Sequence, residues 1–269
     1  MTNEPFYCYF IRSGWRGRVD TPDAIGGKFL KTLDALTGID PIFTSWKISD
    51  MRNMSLLSLA AARPRIAGVI EDNVVRNDFD EPSPAYGYHA VARAGEFKHP
   101  RSVRFTADAG GKNSGGTNLE FGECYDVAPD LAIITYHLFK AALLAINAIW
   151  GAPWACAQAF RSGAVAVPMD LGGLPGSRIE SVTQVPLDPT FPYSIFHIPW
   201  IAYLSEPFAS GLRLSPETLG ERTPDGGILM IATEDRLDPN NPEHVRRARI
   251  IAETMIACTG YQPGGLMRK

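Results

Sequence analysis

The sequence predicts an α+β fold: one domain over residues 1–269, with a mixed or mainly antiparallel sheet and packed helices. Three observations predict it. Short apolar runs bounded by turn residues recur along the chain, as strands do. Longer segments carry apolar residues at helical spacing. The strand and helix at the amino end are echoed at the carboxyl end, which allows an internal duplication. With 269 residues, 45% hydrophobic and 20% charged, the chain can bury a core and lacks the composition of a disordered one.

In order, Tyr7 to Ile11 reads as a strand. Thr21-Pro22-Asp23 then supplies an N-cap, a proline at the first helical position and a first-turn acid. Ile25, Phe29, Leu33 and Leu36 fall on one face of the helix that follows, and Gly38 with Pro41 ends it. Strands are expected over Ile42 to Ile48, Ala85 to Ala92, Ser102 to Ala107, Leu119 to Glu123, Trp154 to Phe160 and Trp200 to Leu204, and a short helix over Met54 to Ala62. Leu131 to Trp150 is nearly long enough for a bilayer span, but Lys140 near its middle costs about 2.5–3.5 kcal/mol there. It reads as a buried helix opened by Pro129-Asp130. Gly163 to Gly227 holds nine prolines and eight glycines, too many breakers for a continuous helix or central strands, and reads as ordered loop. Ile228 to Ala232 and the helix from Pro242 to Cys258 repeat the opening grammar, so the two helices are expected in equivalent positions.

A formal charge of −3 with 26 cations against 29 acids argues against a protein that holds nucleic acid or anionic membrane by charge. Four dispersed cysteines and five dispersed histidines show neither a zinc spacing nor a disulfide framework, so no metal or cofactor is expected. No signal-peptide core precedes the first strand, which reads as cytoplasmic. Gly110 to Gly116 lacks the Gly-x-x-x-x-Gly-Lys-Ser/Thr order of a phosphate cradle and reads as a hairpin loop; no Gly-x-Ser-x-Gly elbow is present.

Two features are candidate partner contacts. Glu71, Asp72, Asp78, Asp80 and Glu81 place five acids within eleven residues. They read as a solvated loop, an acidic docking surface, or carboxylates around a divalent cation. Trp15, beside Arg16 and between Gly14 and Gly17, reads either as an aromatic anchor or as a core tryptophan covering the strand end.

The run Tyr9-Phe10-Ile11-Arg12-Ser13-Gly14-Trp15-Arg16-Gly17-Arg18, continued through Thr21 to Gly26 and Phe29 to Leu36 and closed by Asp40-Pro41-Ile42-Phe43 and Trp46, resembles the immunity protein 52 family of bacterial polymorphic toxin systems. The resemblance implies an α+β immunity protein that binds and neutralises a cognate toxin, here a nuclease effector of a type VI secretion system, without catalysis. It assigns no active-site residues. Two other functions stay open: a metal-dependent hydrolase using Asp78, Asp80, Glu81 and His89, and an adaptor that loads an effector for secretion.

Overall fold

The structure, a computed structural model, describes residues 6–77, 79, 81–112, 114–122, 127–161 and 197–259. Its elements run β1 (Tyr7–Arg16), α1 (Pro22–Thr37), β2 (Lys47–Asp50), β3 (Ser55–Ser58), α2 (Leu59–Ala62), α3 (Ile66–Asp72), β4 (Tyr88–Ala94), β5 (Val103–Ala109), β6 (Ser114–Phe121), α4 (Tyr136–Trp150), β7 (Trp154–Arg161), β8 (Ile198–Leu204), α5 (Glu206–Ala209), β9 (Leu219–Arg222), β10 (Ile228–Ile231) and α6 (Pro242–Thr259). All ten strands join one sheet in the order β3-β2-β4-β5-β6-β1-β7-β8-β10-β9, every pairing antiparallel. The α+β expectation is met.

β1 lies in the middle because its alternation serves both neighbours. Tyr9, Ile11, Ser13 and Trp15 point to the face that the helices cover. There Tyr9 meets Phe139 of α4 edge-on, and Ser13 Oγ lies 2.6 Å from Thr117 Oγ1. Ala155, Ala157 and Ala159 of β7 stand beside them, small enough for α4 to pack close. Gly115 leaves room for Trp15 on that face, since a Cβ there would sit 2.2 Å from Trp15 Nε1; on the opposite face a Cβ on Gly14 would sit 2.5 Å from Trp154 Cζ2.

α1 starts as its sequence dictates: Thr21 Oγ1 accepts the Ala24 N–H at 3.2 Å, and Ile25, Phe29, Leu33 and Leu36 are buried. α4 is shorter than expected. Asp130 makes a turn by accepting the Ala132 N–H at 2.9 Å, and Thr135 is the true cap, with Gly151 left-handed (φ 59°) at the other end. Among the described residues no helix is long and apolar enough to cross a membrane. Trp200 is an extra residue where the β7–β8 register shifts. Its ring turns onto Tyr9 and Phe139, and its Nε1 donates to Thr233 O at 2.9 Å.

Several expectations are corrected. Pro41–Phe43 forms a 3₁₀ turn, so the strand expected from Ile42 begins only at Lys47. Ser55–Ser58 is strand, not helix, and only Leu59–Ala62 is helical. Glu71 and Asp72 end helix α3 instead of opening a loop. Within the Pro- and Gly-rich segment the strand expected at Trp200 to Leu204 is present as β8, but β9 and α5 stand where loop was expected, and 162–196 lie outside the described residues. The two similar strand-helix units are not equivalently placed. β1 is interior and packed beneath α4, whereas β10 lies next to the edge, runs opposite to β1 through β7 and β8, and carries α6 against β8.

Candidate functional site

β2 and β4 pair only through Lys47↔Arg93 and Ile48↔Ala92, and beyond that point they diverge. The segment after α3 fills the gap. Asn73, 3% exposed, donates its amide to Ser49 O at 3.0 Å and accepts the Met51 N–H at 2.9 Å, while its carbonyl accepts the His89 N–H at 3.0 Å. Asn73 thus joins both strands, its side-chain amide bonding the β2 side and its backbone carbonyl bonding β4, and so satisfies polar backbone that the divergence would leave unpaired.

The result is a cleft of about 610 Å³ lined by Arg52, Asp72, Asn73, Arg76, His89 and Asp108 with Met51 at its edge. Arg52 holds Asp72 at 2.7 Å, and that bond raises the guanidinium's pKa further above its ordinary value. His89 Nδ1 lies 2.5 Å from Asp108 Oδ1 across the β4–β5 pair. A carboxylate-oriented imidazole can relay a proton if a nucleophile meets its other nitrogen. Among the described residues, no serine, threonine or cysteine side chain is bonded to His89, and no three His, Cys, Asp or Glu side chains converge to hold a metal ion.

Large apolar side chains stand exposed on the loops whose bases line this cleft. Met51 is 50% exposed and Met54, at the tip of the β2–β3 turn, 90%. Phe79 is 84% exposed in a loop closed by Asn77, whose amide donates to Glu81 Oε2 at 3.1 Å and whose Oδ1 accepts the Glu81 N–H at 2.9 Å. The base of that loop pairs Arg76 with Pro82.

Of the residues singled out from sequence, Asp72 lines the cleft, Glu71 is exposed one residue earlier on α3, and Glu81 is bonded within its loop. Asp78 and Asp80 lie outside the described residues, as does Cys124. Arg16 is exposed at the end of β1, opposite Ser114. Trp15 is corrected: it is 5% exposed and stacked on Trp150 with centroids 5.4 Å apart and planes at 11°, so it belongs to the core and presents nothing to a partner. Sequence reasoning missed the His89–Asp108 pair and the Met51–Met54 turn. The first left a signal in the period-2 patterns His89-x-Val91-x-Arg93 and Arg104-x-Thr106-x-Asp108, which place polar groups on one face of adjacent strands.

Neither a family model nor a curated protein sequence matches this chain. Its fold is similar to a solved structure, the Pseudomonas aeruginosa T6SS protein PA0821. The match has a TM-score of 0.54 and 10% identity, and covers 98% of this chain and 80% of that one. The shared feature is the fold.

Proposed function

We propose that this chain is a partner-binding protein of a type VI secretion system, and specifically the immunity protein that binds and neutralises a cognate toxin, a nuclease effector, in the cytoplasm of the cell that makes it. The observation that carries the reading is that Met51, Met54 and Phe79 stand exposed on the two loops whose bases line a charged cleft. Exposed apolar side chains beside a charged cleft suit a protein interaction surface. The fold shared with a T6SS protein over nearly the whole chain supports the choice of system. The resemblance of the first fifty residues to immunity protein 52 supports the immunity role.

The test is co-expression with a candidate nuclease-toxin domain. Cells are expected to survive only when this chain is also made, and the two proteins to co-elute at fixed stoichiometry. Equal survival with an unrelated immunity protein at the same level would defeat the claim of a cognate pair. A secreted effector that stays toxic in the complex would favour the adaptor reading instead.

A further inference from the structure

The strands β4, β5 and β6 alternate buried and part-exposed residues, so one face of this half of the sheet is open to water. Following the register across β2, β4, β5, β6 and β1, that open face carries Lys47, Arg93, Arg104, Arg12 and Arg16 against only Glu120 and Asp108. The whole chain has 26 cations and 29 acids, so the face is segregated by sign. Lys47, Arg93 and Arg104 stand directly opposite one another in a single cross-strand row, an arrangement of like charges that folding disfavours. Both acids are already engaged on the face itself, Glu120 by Arg104 at 2.8 Å and Asp108 by His89 at 2.5 Å. No carboxylate among the described residues pairs with Lys47, Arg12 or Arg16. Beside Arg93, the middle member of that row, stands Phe97, 66% exposed, with the Arg93 guanidinium 5.2 Å and the Lys98 ammonium 5.7 Å from its ring. His89 and Asp108 place the cleft on this same face.

We propose that the open sheet face is the docking surface, and that the partner's contacting surface is an acidic protein surface with an apolar pocket for Phe97. The proposal rests on the partner-binding reading above and reverses the charge expected from the acidic run. Of the described acids in that run, Asp72 is already held by Arg52 and Glu81 is bonded to Asn77 within its own loop. Complementary charge speeds encounter and fixes register, while a central aromatic governs dissociation. A nuclease needs a positive groove for its substrate, so a positive inhibitor face docks outside that groove.

The experiment measures, by stopped flow, binding of the purified nuclease-toxin domain used in that co-expression test to four forms of the full chain. The forms are wild type, Arg12→Glu with Lys47→Glu, Phe97→Ala, and Glu71→Gln with Glu81→Gln. The charge reversal is expected to slow association by at least about tenfold at low salt and to flatten its salt dependence. Phe97→Ala should speed dissociation by at least about thirtyfold. The Glu71/Glu81 variant should match wild type. Lys47→Glu sets an acid opposite Arg93, so its unfolding midpoint should hold or rise, which separates a lost interface from a lost fold. Unchanged association in the reversed variant, or slowing in the Glu71/Glu81 variant alone, overturns the inference while the partner-binding reading stands. Tight binding of a single-stranded 20-nucleotide DNA, lost on the same reversal, also overturns it in favour of a nucleic-acid face. Absence of any complex with wild type removes the underlying reading and the inference with it.

Discussion

Truncating Trp15 to alanine should damage the fold first, and any loss of partner binding should follow from that. The ring is 5% exposed, stacked on Trp150 at 5.4 Å, capped by the Arg18 guanidinium at 4.5 Å and laid over Gly115. Removing a buried large aromatic costs about 3–5 kcal/mol, and aromatic pairs add about 0.5–1.5 kcal/mol beyond their area. A loss of about 4 kcal/mol is a large part of the roughly 5–15 kcal/mol that holds a typical domain together. At roughly 2–4 °C per kcal/mol for a chain near this size, the melting temperature should fall by about 8–16 °C. Trp15 Nε1 has no hydrogen-bond partner among the described residues, so Trp15→Phe should cost only about 1–2 kcal/mol, mostly from lost volume. Urea unfolding followed by circular dichroism reads both changes. A Trp15→Ala protein within about 1 kcal/mol of wild type that nevertheless fails to bind its toxin would refute the core assignment and restore Trp15 as an anchor.

Gly115→Ala should destabilise by about 1–3 kcal/mol, since the new Cβ falls 2.2 Å from Trp15 Nε1 and 2.8 Å from the Asp108 carbonyl; in a Trp15→Ala background the cost should shrink, a coupling that a double-mutant cycle measures. Asp225 accepts hydrogen bonds from the Thr223 and Tyr203 hydroxyls, which hold its carboxyl below the ordinary 3.8. Its contribution is therefore present above the unfolded-state value and lost as pH falls through the folded-state one, so Asp225→Asn should flatten the acid limb of an unfolding titration. Burial pushes the Tyr9 hydroxyl from 10.0 up to about 12. The stability it confers is complete below pH 10 and declines as pH rises toward 12, and Tyr9→Phe should flatten that alkaline slope at a cost of about 1 kcal/mol for the bond to Leu237 O, read by melts across the alkaline range.

The helices α1 and α6 were legible because their signals are local. A side-chain oxygen acceptor (Thr21 or Asn241) before a proline and an acid, followed by apolar residues every three or four positions, settles a helix without knowledge of its neighbours, and α1 begins where Thr21 and Pro22 say it does. Short apolar runs carry no such signal. Met54 to Ala62 fits a helix or a strand equally, and pairing of Ser55–Ser58 with β2 decides for a strand. The acids of the candidate site were visible as a cluster, but not that Glu71 and Asp72 close a helix, that Arg52 claims Asp72, or that Asn73 joins two diverging strands.

Composition, periodicity and end signals sufficed for the α+β class, the long helices, the strand-rich middle and the sparing of cation and acid counts that leaves the chain near neutral. Each depends on a residue and its neighbours within a few positions. The tertiary structure alone decided that Trp15 is core, because its burial depends on a helix about 135 residues away in sequence and on the glycine opposite it in β6. It alone also assembled the cationic row. Lys47, Arg93 and Arg104 are isolated charges along the chain, and only strand register, set by the demand to bury the opposite face, brings them side by side.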